Sequence, residues 1–220
     1  MTALAAGQLN EHLQSHFVHA VIFDIDGTLL QSAPVDDALY RASVVAVLGS
    51  VRFRPALSDY DFVTDSGILL QVLDDNSIKL NPGHELEIKA HFVEALSSHI
   101  GENGPFKEVP GAKKMLDSFR ASDVHSVAIA TGGWLDTALL KLKSANFDLT
   151  RFPLATSDDS FERTEIMQLA LSRLGSEFHS ITYYGDGPWD RDACLTLGWN
   201  FVAVGAALGG IDSYIGLGNS

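Results

Sequence analysis

The strongest constraint on the fold is a single stretch, VHAVIFDIDGTLL, over residues 18–30. Its apolar, β-branched run suits a buried strand of a parallel sheet. Two aspartates follow. Asp24 ends the strand, and Asp26 comes two residues on, after the chain has begun to leave the sheet. Gly27 then permits a backbone turn that a Cβ would resist, and Thr28 is placed to stabilise it. Asp-Gly after a strand is common as a plain turn, but like charges this close repel unless a divalent cation or a shared proton compensates.

Four more apolar runs share the character of AVIFDI (20–25): SVAIAT (126–131), ITYYGD (181–186), FVAVG (201–205) and the weaker PLAT (153–156). Helical patterns separate most of them. GAKKMLDSFRA (111–121) sets Met115, Leu116 and Phe119 on one face, and WLDTALLKLKS (134–144) repeats Leu135, Ala138, Leu139 and Leu142. Strand–helix alternation predicts a doubly wound, Rossmann-like α/β parallel sheet, which binds ligands at the carboxyl ends of its strands where the winding reverses.

About a hundred residues lie between the first two strands, far more than one crossover helix needs. DDALYRASVVAVLG (36–49), SGILLQVLDD (66–75) and HELEIKAHFVEALSSHI (84–100) all read as helices. Thr64 and Asp65 are plausible caps of the second. The third repeats Leu86, Ala90, Val93, Leu96 and Ile100 at helical spacing. Residues 34–106 are therefore expected to form an inserted helical subdomain, with 1–33 and 107–220 forming the core and the Gly/Pro-rich 101–111 leading back into it.

Fifteen Lys plus Arg against 28 Asp plus Glu give a formal charge of −13. Such a surface repels nucleic acid and anionic membranes, so neither is an expected partner. An anionic substrate has to be drawn by something local: a metal, backbone amides or one placed cation. Cys194, the lone cysteine, excludes an internal disulfide and a cysteine-rich zinc site, and is expected to pack a helix. The first residues lack the basic start and apolar centre of a secretory signal, and no apolar run suggests a membrane span. A cytoplasmic location is expected.

Three further features fall at strand ends. In AIATGG, Thr131 precedes Gly132 and Gly133, where a hydroxyl and free amides at a helix start can cradle an anion; an ordinary N-cap is the plainer reading. In YYGDGPWDRD, Asp186 and Asp190 add carboxylates from another strand, the oxygen donors that Mg²⁺ prefers. In SFERTE, Arg163 stands just before a helix, either as an exposed helix-start arginine or as the placed cation. Trp134 is expected to pack rather than face a ligand. Arg52, Arg54 and Lys79 are candidates to reach a substrate from the inserted helices.

DIDGT, the strand-ending Thr131, a basic residue before a helix and GDGPWD resemble, in order and rough separation across residues 18–205, the four motifs of the haloacid dehalogenase superfamily. The 34–106 insertion resembles that superfamily's helical cap. The resemblance implies a phosphatase-type hydrolase acting on a small phosphorylated metabolite, phosphoglycolate-phosphatase-like, with Mg²⁺ as cofactor. It implies that Asp24 is the nucleophile and forms an aspartyl-phosphate, and that Asp26 is the acid and base. Thr131, Gly132 and Arg163 would hold the phosphoryl group, Thr131 and Arg163 counting among the catalytic residues. Asp24, Asp186 and the Asp26 carbonyl would bind the metal, with Asp190 ligating through water or orienting the site. An acid two residues after the nucleophile favours phosphoryl chemistry over dehalogenation, since an alkoxide needs a proton to leave and a halide does not. A sugar phosphomutase and a noncatalytic ligand-binding protein on this fold are the alternatives. Two positions depart from the pattern: Arg163 stands where lysine is usual, and its planar fork is not equivalent to an ammonium; Pro188 and Trp189 stand where residues are often small or polar.

Overall fold

Strand His19–Phe23 (β1) lies at the centre of a five-stranded sheet in which every pairing is parallel. The computed structural model describes residues 18–79, 81–148 and 152–217. After β1 come helices Ala33–Leu48 (α1), Asp65–Asp75 (α2), Pro82–Asn103 (α3) and Ala112–Arg120 (α4), then strand His125–Ala130 (β2). Helix Leu135–Ser144 (α5), strand Leu154–Ala155 (β3) and helix Arg163–Ser172 (α6) follow. Strand Ser180–Gly185 (β4), helix Pro188–Leu197 (α7) and strand Asn200–Ala203 (β5) complete the sheet. The spatial order is β3-β2-β1-β4-β5. The chain winds outward from β1 one way to β2 and β3 and the other way to β4 and β5, so the reversal lies at β1, where Asp24 leaves the strand.

Residue alternation along each strand divides the interior in two. Val21, Phe23, Val127, Ile129 and Tyr184 join one apolar cluster. Their neighbours Ile22, Ala128, Ala130 and Tyr183 join the other, with Ile166 and Met167 of α6 and Cys194 of α7. Successive strand side chains point to opposite faces, so both faces are buried and the inner parts of β1 and β2 carry consecutive apolar residues, with the polar ones at the strand starts. Burying each large side chain in full contributes about 1.5–3 kcal/mol.

The larger cluster runs without a break from β1 into the inserted helices. Ile68, Leu69 and Val72 of α2 and Ile88, Phe92 and Leu96 of α3 belong to it. Trp134, just before α5, is 1% exposed; its ring sits 5.5 Å from that of Tyr40 and 6.4 Å from that of Phe92. Its indole N–H donates to Ser66 Oγ at 2.8 Å. Packing is therefore what Trp134 does, against α1 and α3, two of the helices between β1 and β2.

Two helix faces differ from their predicted stripes. On α3 the inward residues are Ile88, Phe92 and Leu96, whereas Leu86 is 69% exposed and Ala90 is also exposed. On α5 the buried residues are Thr137, Ala138, Lys141 and Leu142, while Leu135 is exposed. Each stripe is offset because the face is chosen by what it packs against: α1 and α5 for α3, and a cluster of acids for Lys141. Met115 and Leu116 of α4 are buried as expected, with Phe119 packed beside them. Among the described residues, no helix is long and apolar enough to cross a membrane.

Candidate active site

Asp24 is the first residue beyond β1, yet its amide still donates to the Tyr184 carbonyl at 2.9 Å. The sheet ladder thus fixes its backbone, and the residue is 4% exposed. The chain then turns: the amides of Thr28, Leu29 and Leu30 all donate to the Ile25 carbonyl, and Gly27 N–H donates to Leu30 O. Gly27 has φ +77°, and a Cβ there would overlap the Asp186 carboxylate. Only glycine combines that conformation with that approach. The Thr28 hydroxyl is buried without a partner, so backbone bonds close the turn and the expectation that Thr28 stabilises it is corrected.

Asp186 leaves β4 beside Asp24, and Asp190 sits in the first turn of α7. One carboxylate oxygen from each of Asp24, Asp186 and Asp190 lies within 4.8 Å of the others. Asp190 is wholly buried; it accepts from the Gly187 amide at 3.2 Å and from Arg163 Nη1 at 2.9 Å. Arg163 opens α6, its Nη1 3.8 Å from Asp24 Oδ1 and its Nη2 donating to the Val63 carbonyl of the insertion at 2.8 Å. It is thus neither exposed nor a surface cap. Burial raises the Asp24 carboxyl well above the usual range, the Asp190 charge adds to this, and Arg163 opposes it. Burial likewise pushes Asp186 up to about 7, with Asp190 and Asp26 adding and Arg163 opposing. One guanidinium does not neutralise three gathered carboxylates, and that residual charge suits a hard cation taking oxygen donors.

Across the site, Thr131 follows β2 and is 1% exposed. Its Oγ accepts the Gly133 amide at 3.2 Å, which leaves the hydroxyl proton to donate. A Cβ on Gly132 would strike the Arg163 guanidinium. The expected cradle of free amides is smaller than predicted, because α5 begins only at Leu135 and its start is already capped. Trp134 N–H donates to Asp65 Oδ2 at 2.8 Å, and Leu135 N–H donates to Asp158 Oδ2 at 2.6 Å. The Gly132 amide is the one in residues 131–135 with no internal acceptor. Asp65, expected as a cap of α2, lends its side chain to α5 instead, while Thr64 does cap α2 by accepting from Gly67 N–H at 3.1 Å.

Asp26 meets an unpredicted partner. Lys141 Nζ, with no exposure, donates to Asp26 Oδ2 at 2.6 Å and to Asp36 Oδ1 at 2.5 Å. Ser32 Oγ donates to Asp26 Oδ1 at 2.5 Å. Burial alone would lower the lysine, but the two carboxylates hold it firmly protonated. Asp36 is pushed up to about 7 by burial and the neighbouring Asp26 charge, against the pull of Lys141. Arg54 is tied to Asp75 and Arg52 to the Asp75 carbonyl, while Lys79 is exposed, so none of the three lines the cavity.

A parallel doubly wound sheet with acids from two strand ends gathered at its switch point defines an α/β protein with a buried, cation-attracting acidic site. The match is specific: the haloacid dehalogenase-like hydrolase family model covers residues 18–198, and the chain belongs to that family. Among solved structures, a hydrolase from Pseudomonas syringae is 20% identical with TM-score 0.67, covering 84% of this chain and 83% of that one. CbbY from Rhodobacter sphaeroides, crystallised with phosphate, is 16% identical with TM-score 0.66, covering 90% and 89%. A β-phosphoglucomutase from Clostridium difficile is 15% identical with TM-score 0.64, covering 86% and 85%. Comparison with curated proteins gave no match.

Proposed function

We propose that this hydrolase is a Mg²⁺-dependent phosphomonoesterase of the cytoplasm, acting on a small phosphorylated metabolite. In this reading residues 34–106 form a cap over a core of residues 1–33 and 107–220. The observation that carries it is the convergence of Asp24, Asp186 and Asp190 with Arg163 and Thr131 close by, all at the switch point of the sheet. The donor set fits the metal: three carboxylates within reach of one ion, raised by burial and mutual repulsion, with a glycine where any side chain would displace Asp186. Asp24, Asp186 and the Asp26 carbonyl would hold Mg²⁺, with Asp190 orienting Arg163 beside them. When bound, the ion supplies positive charge to the phosphoryl oxygens and screens Asp24 from the anion it attacks.

Asp24 attacks phosphorus, the ester P–O bond breaks, and the departing alkoxide takes a proton from Asp26. Water then attacks the aspartyl-phosphate, its proton passes to Asp26, and the bond to Asp24 breaks to release phosphate. Thr131 and the Gly132 amide donate to phosphoryl oxygens, and Arg163 adds the charge expected of the more usual lysine. Lys141 and Ser32 hold the two oxygens of Asp26 in place, which orients the group for both proton transfers. The test is turnover of an aryl phosphate with and without Mg²⁺. Turnover requires the ion, and Asp24→Asn lowers kcat by about 10³-fold or more while circular dichroism stays unchanged; activity in that variant within about tenfold of the parent chain contradicts the nucleophile assignment.

A further inference from the structure

The core handles the phosphoryl group; the remainder of the substrate meets the insertion, and that wall has a definite chemistry. The cavity holds about 140 Å³, and the insertion lines it with Asp36, Asp37, Tyr40, Val63, Asp65 and Ile68, among others. No lysine, arginine or histidine of the insertion lines it. Its basic side chains are engaged or turned elsewhere: Arg41 pairs with Asp37, Arg54 with Asp75, and Lys89 with Glu85 and Asp158, Arg52 donates to the Asp75 carbonyl, and Lys79 is exposed. Arg163 is held by Asp190 and the Val63 carbonyl. Lys141 is divided between Asp26 and Asp36, and Asp65 receives the Trp134 amide.

A second anion on the substrate would enter a small space walled by carboxylates and apolar side chains. It would shed water and gain no cation in exchange. Hydroxyl groups find carboxylate acceptors in the same place, and an ammonium finds opposite charge. Resting on the phosphatase reading above, we propose that the site takes phosphomonoesters of small uncharged or amine-bearing alcohols, and discriminates through Asp65 and the lack of an unpaired cation in the wall against esters carrying a second carboxylate or phosphate. Phosphoglycolate falls on the disfavoured side. So does mutase chemistry, because returning the phosphoryl group to a sugar phosphate creates a bisphosphate whose second group has no cation to meet it.

Steady-state kinetics in Mg²⁺ test this with glycerol phosphate, phosphoethanolamine, phosphoglycolate and a sugar bisphosphate, an aryl phosphate reporting on the chemistry alone. The expected kcat/KM for the first two exceeds that for the last two by about tenfold or more. Asp65→Asn keeps an acceptor for the Trp134 amide and removes the acid, and it narrows the gap. Phosphoglycolate or the bisphosphate matching the others, or a ratio unmoved in that variant, overturns the proposal even while the aryl phosphate turns over. Failure of every ester, the aryl phosphate included, instead removes the phosphatase reading itself.

Discussion

Lys141 holds one ammonium between two carboxylates with no solvent to share the charge. Truncating one partner of such a cluster costs more than the cluster contributes, because the remaining charges stay where they are. Lys141→Met should therefore lower unfolding free energy in urea by about 3 kcal/mol, and Asp36→Asn added to it should recover part of the loss. A decrease under about 1 kcal/mol would show that solvent already screens these acids. The pairing was not legible in the sequence. Asp26 and Asp36 stand 115 and 105 positions from Lys141, and a lysine beside an apolar stripe reads as one that carries its head out to water. Asp24, Asp26, Asp186 and Asp190 were legible because each follows a strand whose direction fixes where it ends. Arg163 was legible in position, but its grip on the insertion through Val63 was not, since a bond to a backbone carbonyl leaves no residue-type signal.

Helix α3 shows the corresponding limit at the level of elements. Its sequence carries two overlapping apolar stripes, the expected Leu86–Ala90–Val93–Leu96–Ile100 and Ile88–Phe92–Leu96, which share Leu96, and periodicity accepts either. Packing decides: Phe92 meets Tyr40 and Trp134 edge to face, while Leu86 stands in solvent. Phe92→Ala is expected to cost about 3–5 kcal/mol by thermal or chemical unfolding, and Leu86→Ala no more than about 0.5 kcal/mol. Equal losses would mean that the other stripe faces inward. The strands were easier to read, since burial on both faces makes each a continuous apolar run whatever its neighbours are. The helical run of α5 reads from Trp134, one residue before it begins. Asp65 and Asp158 reach it from segments distant in sequence and set the cap, a service that no local pattern displays.

For the whole molecule, the dominant electrostatic feature is a set of buried carboxylates raised above their unfolded values. Asp36 and Asp186 both rise to about 7, and Asp24 and Asp65 also lie well above the usual range. A raised carboxyl binds its proton more tightly in the folded state, so the native chain carries more protons than the unfolded one between about pH 4 and pH 7. Unfolding free energy then falls as pH climbs through that window, and the share carried by Asp36 and Asp186 is lost as pH passes about 7. Asp75 and Asp159, lowered by Arg54 and Arg173, act in the opposite sense but are partly exposed, so solvent screens their pairs. The metal-free chain should thus melt higher near pH 5 than near pH 8, and Mg²⁺ should raise the melting temperature most at the alkaline end, where its ligands are already ionised. A metal-free profile that climbs toward pH 8 would contradict this.

The measurement closest to the chemistry is to quench the enzyme in acid during turnover, reduce it with borohydride and map the peptides. Reduction turns an aspartyl-phosphate into homoserine, so homoserine is expected at position 24, only when substrate and Mg²⁺ are both present, and not in Asp24→Asn. An intact Asp24 in enzyme caught mid-reaction, with the phosphoryl label on some other residue, would contradict the assignment of Asp24 as the attacking group.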